Sequence, residues 1–282
     1  MSFSINTNPN ALVAKNAATY NNRALSSAMQ QLSTGKRINS AKDDASGVAV
    51  SEIMTGQIRG LNMAVRNAND GVSLMQTAEG AMIEQTNMLQ RMRELAVQGS
   101  NDTSTDTQKS YLNTEFTQLR SEIDRIGAQT KWNGQTILTA STGMGNTTGG
   151  TYSFMVGSSS SYVSVTVANM SSTSGAALSA VSASGVSTAA TAVTAIDSID
   201  TALSAIASQR ATLGAGINRL TYAVDSMTNV SQNLTESRSR ISDTDYATAA
   251  SELARTQIIQ QASTAMLAQA NQQPQGVLAL LK

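Results

Sequence analysis

The residues that could carry chemistry in this chain are few and poorly placed for it. There is no His and no Cys, so a nucleophilic hydroxyl has no imidazole base and no thiolate exists to attack a substrate or hold a soft metal. The adjacent Asp43 and Asp44 are the clearest acidic pair. Two neighbouring carboxylates without further oxygen ligands make a poor site for a hard cation. With Ser46 beside them they suit the cap of a following helix, whose N-terminus favours negative charge. Gly143-Met-Gly145-Asn-Thr-Thr-Gly149 has glycines like those of a dinucleotide loop, but its spacing is off by one and no strand precedes it or helix follows it. It reads as linker. No Walker-type phosphate loop occurs, and the expectation is a protein with no catalytic site, no cofactor and no metal.

The pattern that organises the chain is mechanical. From Ile196, steps of three and four residues run unbroken to Ile241. One row, seven apart, is apolar throughout: Ile199, Ile206, Leu213, Leu220, Met227, Leu234 and Ile241. The intervening row, Leu203, Arg210, Ile217, Val224, Ser231 and Arg238, mixes apolar residues with polar ones that discriminate between registers. Such a repeat over roughly 46 residues predicts one helix about 70 Å long, with a narrow apolar stripe that only partner helices can cover.

The rest of the composition agrees with helix seams. Aromatic residues are 4% of the 282, there are 13 Met, and the two prolines, Pro9 and Pro274, stand near the ends, so nothing between them breaks a long helix. Charges balance at 19 against 19 with no basic block, which argues against nucleic acid or an anionic membrane surface as the main partner. No uninterrupted apolar run approaches the roughly 18 to 20 residues of a membrane span, so no membrane insertion is expected. Met1 to Tyr20 lacks the basic leader and apolar core of a Sec-type signal peptide.

In chain order, Asn10 to Gly35 predicts a helix with Ala18, Leu25 and Leu32 on one face. Val48 to Gly99 predicts a second, with one stripe through Leu61, Ala68, Met75, Met82, Leu89 and Ala96 and another through Leu74, Ala78, Ala81, Met88, Met92 and Leu95, hence two neighbours. Gly56, Gly60, Gly71 and Gly80 interrupt it, either as local looseness or as places where another backbone comes close. Thr107 to Gly127 predicts a third, through Leu112, Phe116, Leu119, Ile123 and Ile126. From Thr139 to Thr194 the composition turns to Ser, Thr, Gly and Ala. There Thr151 to Val156 and Tyr162 to Val167 predict a β-hairpin around Gly157 to Ser161, in an exposed insertion, with 170 to 192 as flexible linker of weak helical tendency. Asp243 to Gly276 resumes helix, with Ile259, Ala262, Met266 and Ala270 on one face and an end at Gln272-Gln-Pro274, before an apolar tail of Val277, Leu278, Leu280 and Leu281. The fold class is mainly α, with a small central β-hairpin insertion.

The stretches Leu32-Ser-Thr-Gly-Lys-Arg-Ile-Asn-Ser-Ala-Lys-Asp-Asp-Ala-Ser-Gly47, Arg66-Asn-Ala-Asn-Asp-Gly71, Gln76-Thr-Ala-Glu-Gly-Ala81, Gln90-Arg-Met-Arg-Glu-Leu-Ala-Val-Gln98 and Trp132-Asn-Gly134 stand in the first half, with Arg240-Ile-Ser-Asp-Thr-Asp-Tyr246 and the run through Gln269-Ala-Asn-Gln272 near the other end. Together they closely resemble bacterial flagellin. The resemblance covers 1 to 140 and 193 to 282. It implies a long antiparallel coiled-coil bundle of N- and C-terminal segments. Residues 1–44 with 243–282 would be the inner-tube helices, 45–139 with 193–242 the rod, and 140–192 a short outer insertion. It further implies a secreted subunit of the extracellular flagellar filament, exported unfolded by the flagellar type III system. Its partners would be other copies of itself, an export chaperone and cap or junction proteins. Polymerisation stripes would run through Leu25, Leu32, Ile259, Met266, Leu278 and Leu281, and the 199 to 241 row would be the intrachain rod seam. Gln90, Arg91, Leu95 and Glu115 resemble the patch read by a host Toll-like receptor. The residues alone also leave room for Leu95 as a packed seam residue and Arg91 with Glu115 as an ion pair between two helices. The alternatives are a hook-filament junction protein of the same assembly and a monomeric secreted coiled-coil binding protein.

Overall fold

The computed structural model describes residues 8–139, 150–157, 161–171 and 178–279, with backbone alone from 273 to 279. Helix α1 runs Pro9–Thr34, α2 Ala45–Gly99, α3 Asp106–Gln129, α4 Ser179–Ser182, α5 Ala189–Ser242 and α6 Tyr246–Ala279. Two antiparallel hairpins interrupt them: β1 (Lys131–Trp132) with β2 (Gln135–Thr136), and β3 (Gly150–Met155) with β4 (Tyr162–Val167). The chain divides into two compact units, Met1–Gly56 with Gln232–Lys282, and Gln57–Ser231, and both long helices contribute to each.

Local chemistry sets the helix ends. The Asn8 side chain accepts from the Ala11 N–H, Pro9 sits in the first turn, and Gly35 closes α1 in the left-handed region at φ 68°. Thr105 and Gln108 form a capping box at α3. Asp44 starts α2 by accepting from the Gly47 N–H at 2.8 Å.

In the terminal unit α1 and α6 run antiparallel. Asn8 donates to the Ala270 carbonyl, Asn21 to that of Thr256, and the Tyr246 hydroxyl to that of Leu32, so partners fall in number along α6 as they rise along α1. The turns beside them are tied by the Lys36–Asp243 bridge and by the Arg37 N–H donating to the Ser242 carbonyl at 2.7 Å.

In the 57–231 unit, α2 buries Leu61, Ala68, Met75, Met82, Leu89 and Ala96, and α5 buries Ile199, Ile206, Leu213, Leu220 and Met227. The second buried row of α5 is Ala195, Ala202, Gln209 and Gly216, not the one through Leu203, Arg210 and Ile217, which is half-buried. Small residues there let neighbours approach. A Cβ on Gly216 would lie 2.9 Å from a Val165 methyl and 3.0 Å from the Met75 sulfur, and one on Gly71 2.9 Å from the Phe154 ring. Gly71 makes room for the Phe154 and Leu220 side chains rather than for another backbone, whereas Gly56 and Gly80 face open space. Leu234 and Ile241, in the terminal unit, are half-buried.

Three expectations change. The hairpin is no surface flap, because Tyr152, Val163, Val165 and Val167 are buried and Gln209 Nε2 donates to the Thr166 carbonyl at 2.8 Å. The described part of 170 to 192 is packed rather than linker: Met170, Leu178, Val181, Val186 and Ala192 are buried. Helix α6 continues through Pro274 to Ala279. Helix α5 also holds an 18-residue stretch apolar enough to cross a membrane by length and composition, as core helices also can.

Candidate assembly and recognition surfaces

The fully buried residues of α1 and α6 are small or polar, and the larger apolar side chains of both helices are half-buried or exposed. Asn21, Ala28, Ala249 and Thr256 are buried between them, while Leu12, Val13, Met29, Ile258 and Met266 stand more than half exposed. Val13, Ala14 and Ala17 of α1 and Ile259, Ala262 and Met266 of α6 line an open groove of about 480 Å³. The structure thus brings Ile259 and Met266 together on one groove, at 36% and 64% exposure. Leu25 and Leu32 are half-buried on α1, the Leu278 side chain lies outside what is described, and Leu281 lies outside the described residues altogether. The sequence reading missed Val13, whose apolar row on α1 is one turn long.

The acidic pair is engaged with backbone. Asp43 accepts from the N–H groups of Asn39 and Ser40 at 3.1 and 3.0 Å and from the Ser40 hydroxyl, which holds its carboxyl below the usual range. Asp243 is lowered in the same direction by the Ser239 and then the Ser242 hydroxyl. Both carboxylates serve to brace the turns that bring the terminal helices together.

The other surface lies on α2 and α3. Gln90, Arg91 and Glu115 are exposed; Arg91 Nε donates to Glu115 at 2.9 Å and Nη1 to Glu94 at 2.9 Å. Those carboxylates, Glu94 first, hold the guanidinium above its ordinary pKa. Leu95 is 1% exposed and packs beneath this surface. Close by, Arg93 pairs with Asp200 of α5 at 2.7 Å. Deeper, Gln85 donates to the Ile123 and Met170 carbonyls at 3.2 and 3.0 Å, linking α2, α3 and the segment leaving β4.

Two long segments of the chain match known sequence regions. Residues 5–142 match the bacterial flagellin N-terminal helical region and 196–281 the bacterial flagellin C-terminal helical region. The chain belongs to the bacterial flagellins. It is 45% identical to flagellin of Halalkalibacterium halodurans over 258 residues, covering 90% of this chain and 91% of that one. It is 41% identical to flagellin of Bacillus subtilis, covering 99% of each. Against the crystal structure of Bacillus cereus flagellin it is 30% identical, with TM-score 0.49, over 57% of this chain and 88% of that one. As a flagellin it is a structural subunit of the flagellar filament, not an enzyme. Flagellins polymerise with themselves, so the uncovered apolar residues of α1 and α6 belong to a chain whose neighbours are its own copies.

Proposed function

We propose that the groove lined by Val13, Ile259 and Met266 is where neighbouring copies meet, and that Leu25, Leu32, Leu278 and Leu281 extend the same stripes. The observation that carries this is the exposure of Val13, Ile258 and Met266 along a helix pair whose fully buried residues are small or polar. In this reading 1–44 with 243–282 form the inner tube of the filament, 45–139 with 193–242 the rod joined by the Ile199 to Ile241 row, and 140–192 the outer insertion. The chain is secreted unfolded through the flagellar type III route, with an export chaperone on its path and cap or junction proteins at the filament ends. Export as an unfolded chain suits a sequence without Cys. Deleting Gln257 to Lys282 tests the assembly reading: electron microscopy then shows no filaments, and unchanged filaments would refute it.

A second reading concerns recognition. The exposed Arg91–Glu115 bridge supports a host Toll-like receptor contact through Gln90, Arg91 and Glu115, with Leu95 holding the surface in place from below. Arg91→Ala abolishes receptor signalling without changing thermal unfolding if this is right, and full signalling by that variant would sink it.

A further inference from the structure

The β3–β4 hairpin has two outer edges, and among the described residues only one carries a hydrogen bond from elsewhere in the chain. The Val156 N–H donates to the Ser161 carbonyl, and in an antiparallel ladder hydrogen-bonded and non-hydrogen-bonded pairs alternate. From the register, Tyr152 and Phe154 therefore turn their main-chain groups toward β4, and Thr151, Ser153 and Met155 turn theirs away from it. The Thr151–Thr166 and Ser153–Ser164 hydroxyl contacts, each 3.0 Å, fit the closer spacing of non-hydrogen-bonded pairs. On the outer edge of β4 the Thr166 carbonyl is taken by Gln209. On the outer edge of β3, among the described residues, no hydrogen bond reaches the main chain of Thr151, Ser153 or Met155.

A cleft of about 740 Å³ follows that edge. It is lined by every residue from Thr151 to Met155, and successive strand residues face opposite ways, so a cavity touching all of them runs beside the strand rather than over one face. At 3.4 Å per residue the edge is roughly 17 Å long. The chain holds one Trp, six Tyr and three Phe, and Trp132, Tyr152, Phe154 and Tyr162 all line this cleft. Asp70 lines it too, and among the described residues its carboxylate has no ion-pair partner. No Lys or Arg is among the lining residues.

We propose that the free edge of β3 takes up an extended peptide segment of a partner protein as an added strand, with a basic side chain placed at Asp70 among the aromatic rings. Main-chain groups spaced at a strand repeat are complementary to another strand, and the carboxylate beside ring faces selects a cation. An unpaired edge is otherwise a liability that folded proteins cover. A saccharide would use the rings and amides but not the regular row of main-chain donors and acceptors.

Trp132 is the single tryptophan, so its emission reports this cleft in the full-length protein. The probe is the capped peptide acetyl-Val-Lys-Val-Lys-Val-amide. The proposal expects a saturable emission change, absent when alternate peptide nitrogens are methylated and weaker with Glu in place of Lys. Asp70→Asn weakens the apparent affinity roughly fivefold. Ser153→Pro, which removes one outward N–H from an edge position that tolerates proline, weakens it while circular dichroism stays unchanged. No saturable response, equal binding of the methylated peptide, or a response to cellobiose in place of the peptide would overturn it.

Discussion

The Asn21 side chain crosses from α1 to donate a 2.8 Å hydrogen bond to the Thr256 carbonyl of α6, and both residues are buried where they meet. A buried polar contact of this kind fixes the register of a helix pair, because any other alignment leaves the amide unpaired. Asn21→Ala should weaken the pair by about 1–3 kcal/mol, which for an assembling subunit raises the critical concentration by roughly five- to 150-fold. Sedimentation of polymer at a series of concentrations reads this. An unchanged critical concentration would mean the register is set elsewhere.

Two kinds of glycine in α2 should respond oppositely to alanine. At Gly80 an added Cβ meets nothing within 4 Å, so Gly80→Ala stabilises by up to about 1 kcal/mol through helix propensity. At Gly71 the Cβ would meet the Phe154 ring at 2.9 Å, so Gly71→Ala costs about 1–3 kcal/mol as the hairpin is pushed from its seat. Urea midpoints of the two variants should move in opposite directions.

The turns of the terminal unit should be acid-sensitive. Asp43, Asp243 and Asp245 are all held below their ordinary 3.8 by hydrogen bonds, so the folded state keeps them ionised more readily than the unfolded chain does. Their contribution is fully present above about pH 5 and is lost as pH falls through the lowered values. The double variant Asp43→Asn, Asp243→Asn should therefore show a flatter loss of helix between pH 5 and about 3 than the natural chain. Parallel acid titrations by circular dichroism check it, and identical slopes would count against the role given to these turns.

Leu95 and Arg91 separate packing from surface. Leu95→Ala opens a cavity in a fully packed seam and costs about 2–5 kcal/mol, whereas Arg91→Ala removes an exposed pair and leaves the thermal midpoint nearly unchanged. Scanning calorimetry distinguishes them.

The long helices were legible because their period repeats many times. The Ile199, Ile206, Leu213 row and the Met75, Met82, Leu89 row each need only side-chain spacing, and both are buried. The partner row of α5 was not legible, since Ala195, Ala202, Gln209 and Gly216 fit by being small, and hydrophobicity does not mark small residues. The β1–β2 hairpin was missed although Asn133 and Gly134, at φ 50° and 80°, supply the two positive values that a tight hairpin turn needs. The packing of Val186 and Leu178 was hidden because isolated apolar residues in a Ser- and Ala-rich stretch have no period. At the terminal surface Ile259 and Met266 could be read from α6 alone, but the groove they share with Val13 depends on how α1 is aligned against it.

The central claim is that the apolar groove of α1 and α6 is completed only by other copies of the chain. Electron microscopy of the double variant Ile259→Asp, Met266→Asp, purified as monomer and induced to polymerise with ammonium sulfate, tests it most directly. Both side chains are exposed in the single chain, so the account predicts a monomer with unchanged helix content that forms no filaments. Normal filaments from that variant at the usual concentration would contradict it.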